Sequence, residues 1–345
     1  MYQSFFGLKH APFKMAPDAR VLFKTGQHLE CIAGLMYTVL NRKGLAVLTG
    51  EAGTGKTTLL MRVLQTLPES QVRSSMIFHP TLSTDDFLEL VLLDFGIPNV
   101  PASKAQRLTC LQQFLLTGHE QGKLSALIVD EAHKLSPELL EEIRLLGNLD
   151  HAGEKLLQIL LIGQSELDDL LNRNALRQLK QRIAVRLSMA PLSSSEVERY
   201  LRYRWVQAGG GENLPFAAHV IDEIARVTNG IPRGINTLCD SALLLAFAEG
   251  KRAVAVSHVR EAAKDLQMQP AKPPVAMSGV PIDREFPVNG APRGNGAVPV
   301  PPAATVETTE AVPEPIRIPD FCVPKPPWIA RWAGKRKLAR AGVTR

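Results

Sequence analysis

The segment Gly50-Glu-Ala-Gly-Thr-Gly-Lys-Thr57 constrains this chain more than any other feature of its sequence. It matches the pattern G-x-x-x-x-G-K-[ST], in which glycines let the backbone curl so that its amide groups point at phosphate oxygens. The apolar run 45–49 before it has strand character, and residues 57–67 after it have a helical pattern. A helix that begins here directs the positive end of its dipole at the same oxygens. The segment therefore predicts a strand, a phosphate-binding loop and a helix in succession.

Two side chains of this loop have chemistry suited to a nucleoside triphosphate. Lys56 can reach the β- and γ-phosphates, and the hydroxyl of Thr57 can coordinate Mg²⁺. We therefore predict that ATP and Mg²⁺ bind here. The other predicted contacts to the nucleotide come from the same loop and the first turn of its helix: Gly50, Glu51, Ala52, Gly53, Thr54, Gly55 and Thr58.

A second motif ends another predicted strand, because the apolar residues 126–129 are followed by Asp130 and Glu131. Neighbouring side chains of a strand point in opposite directions, so the two acids of such a pair can serve different functions. Asp130 is expected to hold Mg²⁺, and Glu131 to polarise the attacking water of a hydrolase. The alternative is an acidic pair that caps a helix in the next loop. Residues 130–133 also spell a helicase box, but the predicted strands stop at Pro191 and leave no second nucleotide-type lobe, so His133 is interpreted as a loop histidine.

Strand and helix patterns alternate as far as Pro191, and only helices follow. Apolar runs at 45–49, 75–78, 126–129, 157–162 and 186–189 predict five strands of a parallel α/β sheet. Helices are predicted at 195–208, 217–228, 234–248 and 257–265, the second ending at Asn229-Gly230 and the last capped by Ser257. The pattern predicts a nucleotide-binding α/β domain over 1–190 and a small all-helical domain over 191–267.

The composition changes after residue 267. Fifteen of the 25 prolines follow Met268, and such a stretch buries too little apolar surface to offset its ordering entropy. We therefore predict a disordered Pro-rich linker over 268–327. The segment 328–345 places Trp328 and Trp332 on one helical side among Lys and Arg residues. A weak contact with anionic lipid, a solvated basic tail and non-specific nucleic-acid contact all fit this segment.

The net charge of +6 does not by itself indicate a nucleic-acid partner, because it is unevenly distributed. Residues 321–345 carry +7, whereas residues 1–267 carry only +1. The four cysteines have no metal-ligand spacing and indicate reduced thiols of a cytoplasmic protein. Secretion and membrane spanning are not expected, since no signal-peptide pattern and no long uninterrupted apolar window occurs.

With both motifs placed, residues 1–267 resemble the AAA+ ATPases, specifically the ExeA/GspA-like (general secretion pathway protein A) group, which is related to Orc-type and transposition ATPases. The resemblance rests on the two motifs and on shorter matching segments. These are residues 2–8 with Pro12-Phe13, Pro17-Asp18 and His28; Leu161-Ile-Gly-Gln-Ser-Glu-Leu167; Gln178-Leu-Lys-Gln-Arg182; and Gly230-Ile-Pro-Arg233 with Ile235-Asn236 and Cys239-Asp240. It implies a P-loop NTPase fold of the AAA+ type with a helical lid.

The resemblance also implies roles for further residues. Gln164 corresponds to the sensor-1 residue that contacts the γ-phosphate or the lytic water, although it can equally satisfy a turn. Arg182 corresponds to the arginine finger that reaches the ATP of a neighbouring subunit in a ring, with Arg177 and Arg186 as rivals. Arg233 corresponds to sensor 2, which joins the lid to the nucleotide. The N-terminal segment is expected either to pack on the adenine ring or to be an apolar strap over the core.

Two function hypotheses follow from this resemblance. The favoured one is an oligomeric cytoplasmic ATPase, with possible peripheral contact at the inner face of the inner membrane, that assists a protein client in a secretion or cell-envelope export machine. The alternative is a DNA-handling ATPase of the transposition or replication type. Members of the group typically continue into a transmembrane helix and a peptidoglycan-binding domain, neither of which is in this sequence.

Overall fold

A parallel five-stranded sheet forms the centre of the protein, as the sequence predicts. The computed structural model describes residues 2–15, 22–68, 70–78 and 82–268. The strands are β1 (Leu45–Gly50), β2 (Val72–Ile77), β3 (Leu124–Val129), β4 (Asp150–His151), β5 (Glu154–Lys155), β6 (Leu157–Ile162) and β7 (Ile183–Met189). The sheet has the order β2-β3-β6-β1-β7, and β4 and β5 form a separate two-stranded hairpin.

The helices of the α/β part lie before and between these strands. They are α1 (Tyr2–Phe5), α2 (Gly26–Leu40), α3 (Lys56–Thr66), α4 (Thr84–Asp94), α5 (Lys104–Glu120), α6 (Pro137–Leu146), α7 (Glu166–Leu171) and α8 (Arg177–Lys180). Every residue of β1, β3 and β6 is buried, because these central strands are covered on both faces. The edge strands β2 and β7 are partly exposed.

Four helices follow the sheet: α9 (Ser194–Gln207), α10 (Ala218–Thr228), α11 (Pro232–Ala248) and α12 (Val256–Asp265). We call them the helical region. They enclose a second apolar cluster that is separate from the one against the sheet. Helix α9 begins with a capping box of Ser193 and Glu196, and α10 ends at Asn229 in the left-handed conformation. No helix in the described ranges combines the length and the apolar character needed to cross a bilayer.

Several predicted boundaries are wrong by a few residues. Strand β2 begins at Val72 rather than at 75, because Val72, Arg73 and Ser74 also pair with β3. Strand β7 begins three residues earlier than predicted. Helix α11 begins at Pro232, whose fixed φ suits a first helical position. Helix α12 begins after Ala255 rather than at a Ser257 cap, and the Ala255 N–H donates to Nδ1 of His258 (3.0 Å).

The N-terminal segment packs against the helical region. Tyr2, Leu8 and Phe13 belong to its apolar cluster, and the hydroxyl of Tyr2 donates a hydrogen bond to Asp240. Arg204 of α9 donates to the carbonyl oxygens of Pro12 (2.8 Å) and Lys14 (3.2 Å). These contacts are those of an apolar strap, whereas a contact with adenine stays a prediction.

Glu223 of α10 joins two helices of this region. Its carboxylate accepts hydrogen bonds from Arg226 (2.9 Å) and from Arg260 of α12 (2.8 Å), and its side chain is 10% exposed. The hydrogen bonds from Arg226 and Arg260 lower its pKa to about 2. A carboxyl group whose pKa is depressed on folding stabilises the protein above its ordinary pKa and loses that effect as the pH falls.

We therefore expect Glu223→Gln to lower the free energy of unfolding at pH 7 by about 1–2 kcal/mol. The difference from wild type should be full above about pH 4.5 and should shrink as the pH falls from there towards 2. Urea unfolding at several pH values measures it, with Glu212→Gln as a control because Glu212 is exposed and has no ion pair among the described residues. A difference that does not change with pH would contradict the ion-pair explanation.

Candidate phosphate-binding site

The loop between β1 and α3 has the backbone conformation that its glycines permit. Gly53 (φ +86°) and Gly55 (φ +103°) lie in the left-handed region, which other residues adopt only with strain. A Cβ on Gly53 would also lie 2.8 Å from Cβ of Arg233. Helix α3 starts at Lys56, directly after this loop, so its free N–H groups point towards the loop. The backbone amides of the loop and the N-terminus of α3 are therefore directed at the same place.

Lys56 brings a buried positive charge into this loop. The residue is 8% exposed, and its ammonium donates to the carbonyl oxygens of Gly50 (2.7 Å) and Glu51 (2.8 Å). Burial lowers the pKa of Lys56, while the carboxylates of Asp130 and Glu131 oppose that effect. The ammonium is thus held at the centre of the loop, within reach of an anion bound by the amides.

Thr57 and Asp130 join the helix to the end of β3. The Thr57 hydroxyl donates to Oδ2 of Asp130 (2.8 Å), and the N–H of Glu131 donates to Oδ1 (2.9 Å). Burial raises the pKa of Asp130, although both hydrogen bonds counteract it. A buried carboxylate beside a hydroxyl is the hard oxygen donor set that Mg²⁺ prefers, so the two residues fit this ion.

Glu131 is more exposed and sits in a strained backbone position (φ +56°). Its side chain is 37% exposed and lies 3.1 Å from the ammonium of Lys134 and 3.7 Å from Nε2 of His133. Partial burial tends to raise the pKa of Glu131, but the Lys134 hydrogen bond and the nearby positive charges outweigh it and lower the pKa. The carboxylate is therefore ionised at neutral pH and can accept a proton.

Gln164 lies in the loop that follows β6, the strand between β1 and β3. Its backbone N–H donates to Nδ1 of His133 (3.3 Å), and its half-buried side chain has no hydrogen-bond partner in the described part of the chain. The loops after β3 and β6 are therefore linked directly. The sequence Asp-Glu-Ala-His does not predict this hydrogen bond of His133, because its partner is 31 residues away in the chain.

Arg233 places the helical region against the phosphate-binding loop. Its N–H donates to the carbonyl oxygen of Gly53 (3.2 Å), and its exposed guanidinium lies close enough to Lys56 to help lower the pKa of that lysine. Thr58 is half-buried in the first turn of α3, Ala52 is exposed in the loop, and the Thr54 hydroxyl donates to the Glu51 carbonyl (2.8 Å).

Arg182 lies just before β7, at the amino ends of the strands, whereas the phosphate-binding loop lies at their carboxyl ends. It lines a cavity of about 250 Å³ together with Lys43, Arg144 and Lys155, over a floor of Leu45, Ile143, Ile159 and Leu179. Of its two rivals, Arg186 forms an ion pair with Asp168 (2.8 Å), while Arg177 is exposed. The structure therefore brings Lys56, Thr57, Asp130, Glu131, Gln164 and Arg233 together but not Arg182.

The chain is similar to known proteins in sequence and in fold. Residues 39–171 match the protein family described as AAA domain. General secretion pathway protein A of Aeromonas hydrophila is 38% identical over 267 residues, which are 77% of this chain and 48% of that protein. The chain thus spans about half the length of this relative.

Two solved structures share the fold. Cdc6p of Pyrobaculum aerophilum has a TM-score of 0.59 at 19% identity, over 73% of this chain and 70% of that one. The Aeropyrum pernix ORC2 protein has a TM-score of 0.54 at 18% identity, over 70% and 68% of the two chains. At such identities the likeness establishes the fold alone. Residues 39–171 therefore form an AAA domain, the chain has a P-loop fold of the AAA+ type, and about three quarters of its length is similar to general secretion pathway protein A.

Proposed function

We propose that this chain binds ATP with Mg²⁺ and hydrolyses the nucleotide. The observation that carries the proposal is the meeting of Lys56, Thr57 and Asp130 beside the ionised carboxylate of Glu131. The first three are suited to holding a triphosphate. The fourth is suited to activating water, which a passive nucleotide binder does not require.

The loop binds the phosphates through its amides and its lysine. The ammonium of Lys56 can exchange its bonds to the Gly50 and Glu51 carbonyl oxygens for bonds to phosphate oxygens. Thr57 and Asp130 would hold Mg²⁺, which when bound neutralises charge on the phosphates. Arg233 at the start of α11 can place its guanidinium on the γ-phosphate, so the helical region would respond to whether ATP or ADP is bound.

Hydrolysis needs a base and a group that orients the water. The Glu131 carboxylate accepts a proton from the water while the water oxygen forms a bond to the γ-phosphorus. The bond between the γ-phosphorus and the bridging oxygen breaks, which releases ADP and phosphate. The Gln164 side chain, which has no hydrogen-bond partner among the described residues, would orient that water or the γ-phosphate. Both groups belong to adjacent loops at one edge of the sheet.

We expect Glu131→Gln to slow ATP hydrolysis by about 100-fold or more, because glutamine cannot accept the proton. ATP affinity should change by less than about threefold, since Lys56 and Asp130 remain. Phosphate release measures turnover, and titration with a fluorescent ATP analogue measures affinity. Lys56→Ala is the comparison variant and should lose binding itself. Wild-type turnover by Glu131→Gln would refute the base assignment.

We further propose that the active form is a homo-oligomer, a ring by resemblance, in which Arg182 serves the nucleotide of a neighbouring copy. Arg182 lies at the amino ends of the strands, whereas the phosphate-binding loop follows the carboxyl end of β1. Arg186 is engaged with Asp168, which supports Arg182 over that rival.

Arg182→Ala should therefore reduce turnover by about 100-fold with little effect on ATP affinity. Added in increasing amounts to wild-type protein, it should also lower the rate per wild-type subunit, because mixed oligomers contain interfaces without the guanidinium. Arg177→Ala, an exposed arginine of α8, is the matched control and should have a much smaller effect. The assignment moves to Arg177 if that variant shows the loss instead.

The proposed biological role rests on similarity to one relative. Because general secretion pathway protein A is 38% identical over most of this chain, we propose that the ATPase acts on a protein client of a secretion or cell-envelope export machine. It would do so in the cytoplasm, at the inner face of the inner membrane. The basic segment 328–345, which lies outside the described residues, would supply a weak membrane contact.

The near-neutral charge of residues 1–267 leads us to expect that duplex DNA leaves the ATPase rate unchanged within about twofold. The measurement is ATP turnover by the full chain with and without duplex DNA, at low and at physiological salt. Stimulation that falls steeply with added salt would favour the DNA-handling alternative and overturn the envelope role.

A further inference from the structure

His133 lies between the two loops that the proposed reaction uses. Its Nδ1 accepts the backbone N–H of Gln164 (3.3 Å), and its Nε2 lies 3.7 Å from the carboxylate of Glu131. The side chain is 12% exposed. The two contacts use the two ring nitrogens, so one imidazole spans the loops after β3 and β6.

The hydrogen bond to Gln164 fixes the orientation of the ring. A backbone N–H can only donate, so Nδ1 accepts and the ring proton is on Nε2, which faces the carboxylate. The loops also approach closely, because a Cβ on Gly163 would lie 3.2 Å from the backbone nitrogen of His133. Glycine at 163 therefore permits the close approach of the two loops, and the hydrogen bond between His133 and Gln164 stabilises it.

We propose that His133 is a positioning residue that holds Glu131 in register with Gln164, a role that rests on the hydrolysis proposed above. Glu131 is half-buried in a left-handed backbone conformation, and the Lys134 ammonium 3.1 Å from its carboxylate belongs to the same turn, so that contact does not fix the turn relative to the loop after β6. The bond from His133 to the neighbouring loop fixes this turn relative to the sensor-1 position. A base must lie within hydrogen-bond reach of the water, so this registration controls the rate of hydrolysis and not the binding of ATP.

Three variants separate the two contacts. His133→Phe keeps the ring and removes both nitrogens. His133→Asn places an amide oxygen at the position of Nδ1, so it can still accept the Gln164 N–H. His133→Gln extends its amide to the position of Nε2, facing Glu131, and cannot place an acceptor at Nδ1 in the same pose.

Turnover should fall about tenfold or more in His133→Phe, while the affinity for a fluorescent ATP analogue stays within about twofold. His133→Asn should recover most of the rate, and His133→Gln little of it. Amide hydrogen exchange of residues 163–165 should be faster in the Phe and Gln variants and unchanged in the Asn variant. His219→Phe makes the same change at an exposed histidine of α10 and should match wild type.

Wild-type turnover by His133→Phe would overturn the proposal, as would an equal loss of turnover and ATP affinity, which indicates a structural role only. Recovery by His133→Gln rather than by His133→Asn would also reject it. The base assignment is tested separately. If Glu131→Gln hydrolyses ATP normally, the proposed function fails, whereas an inactive Glu131→Gln beside a fully active His133→Phe rejects only the role of His133.

Discussion

The buried ammonium of Lys56 is the interaction on which the site depends. Removing a charge from water costs several kcal/mol unless other groups compensate. Two carbonyl oxygens of its own loop and the carboxylates of Asp130 and Glu131 provide that compensation. The carboxylates can do so only because β3 and β1 end at the same edge of a parallel sheet, with β6 between them. The strand order therefore brings the base, the metal ligands and the sensor loop to the lysine.

The helical region belongs to the same arrangement through backbone contacts. Gly230 approaches the chain so closely that a Cβ there would lie 1.9 Å from the carbonyl oxygen of Leu192, and its own carbonyl accepts the Leu192 N–H (2.9 Å). Three residues later the Arg233 N–H bonds to Gly53. This hydrogen bond connects the start of α11 directly to the phosphate-binding loop. Glycine is required at both contacts, because a Cβ on Gly230 would collide with the Leu192 carbonyl oxygen and a Cβ on Gly53 would lie 2.8 Å from Cβ of Arg233.

Local patterns predicted the sheet and the residues at the carboxyl ends of its strands. This was possible because the motif at Gly50–Thr57 and the acids after β3 each follow directly on an apolar run with strand character. What the sequence could not predict depends on distant contacts. The pairing of β4 with β5 has no strong turn signal at Ala152-Gly153. The direction in which the N-terminal strap packs, and the partner of His133, are set by segments far away in the chain. Periodicity carries no information about such contacts.

The separation of Arg182 from Lys56 has a consequence for how the protein assembles. Strand β1 has six residues and so spans about 20 Å between the edge that carries Arg182 and the edge that carries the phosphate-binding loop. One chain cannot bring both groups to one nucleotide without breaking the sheet. If Arg182 acts on ATP, that ATP is bound by a second copy. The contact then joins the Arg182 surface of one copy to the phosphate-binding surface of the other. Such a head-to-tail contact closes into a ring or continues as a filament, and the cationic cavity around Arg182 would face the phosphates at each step.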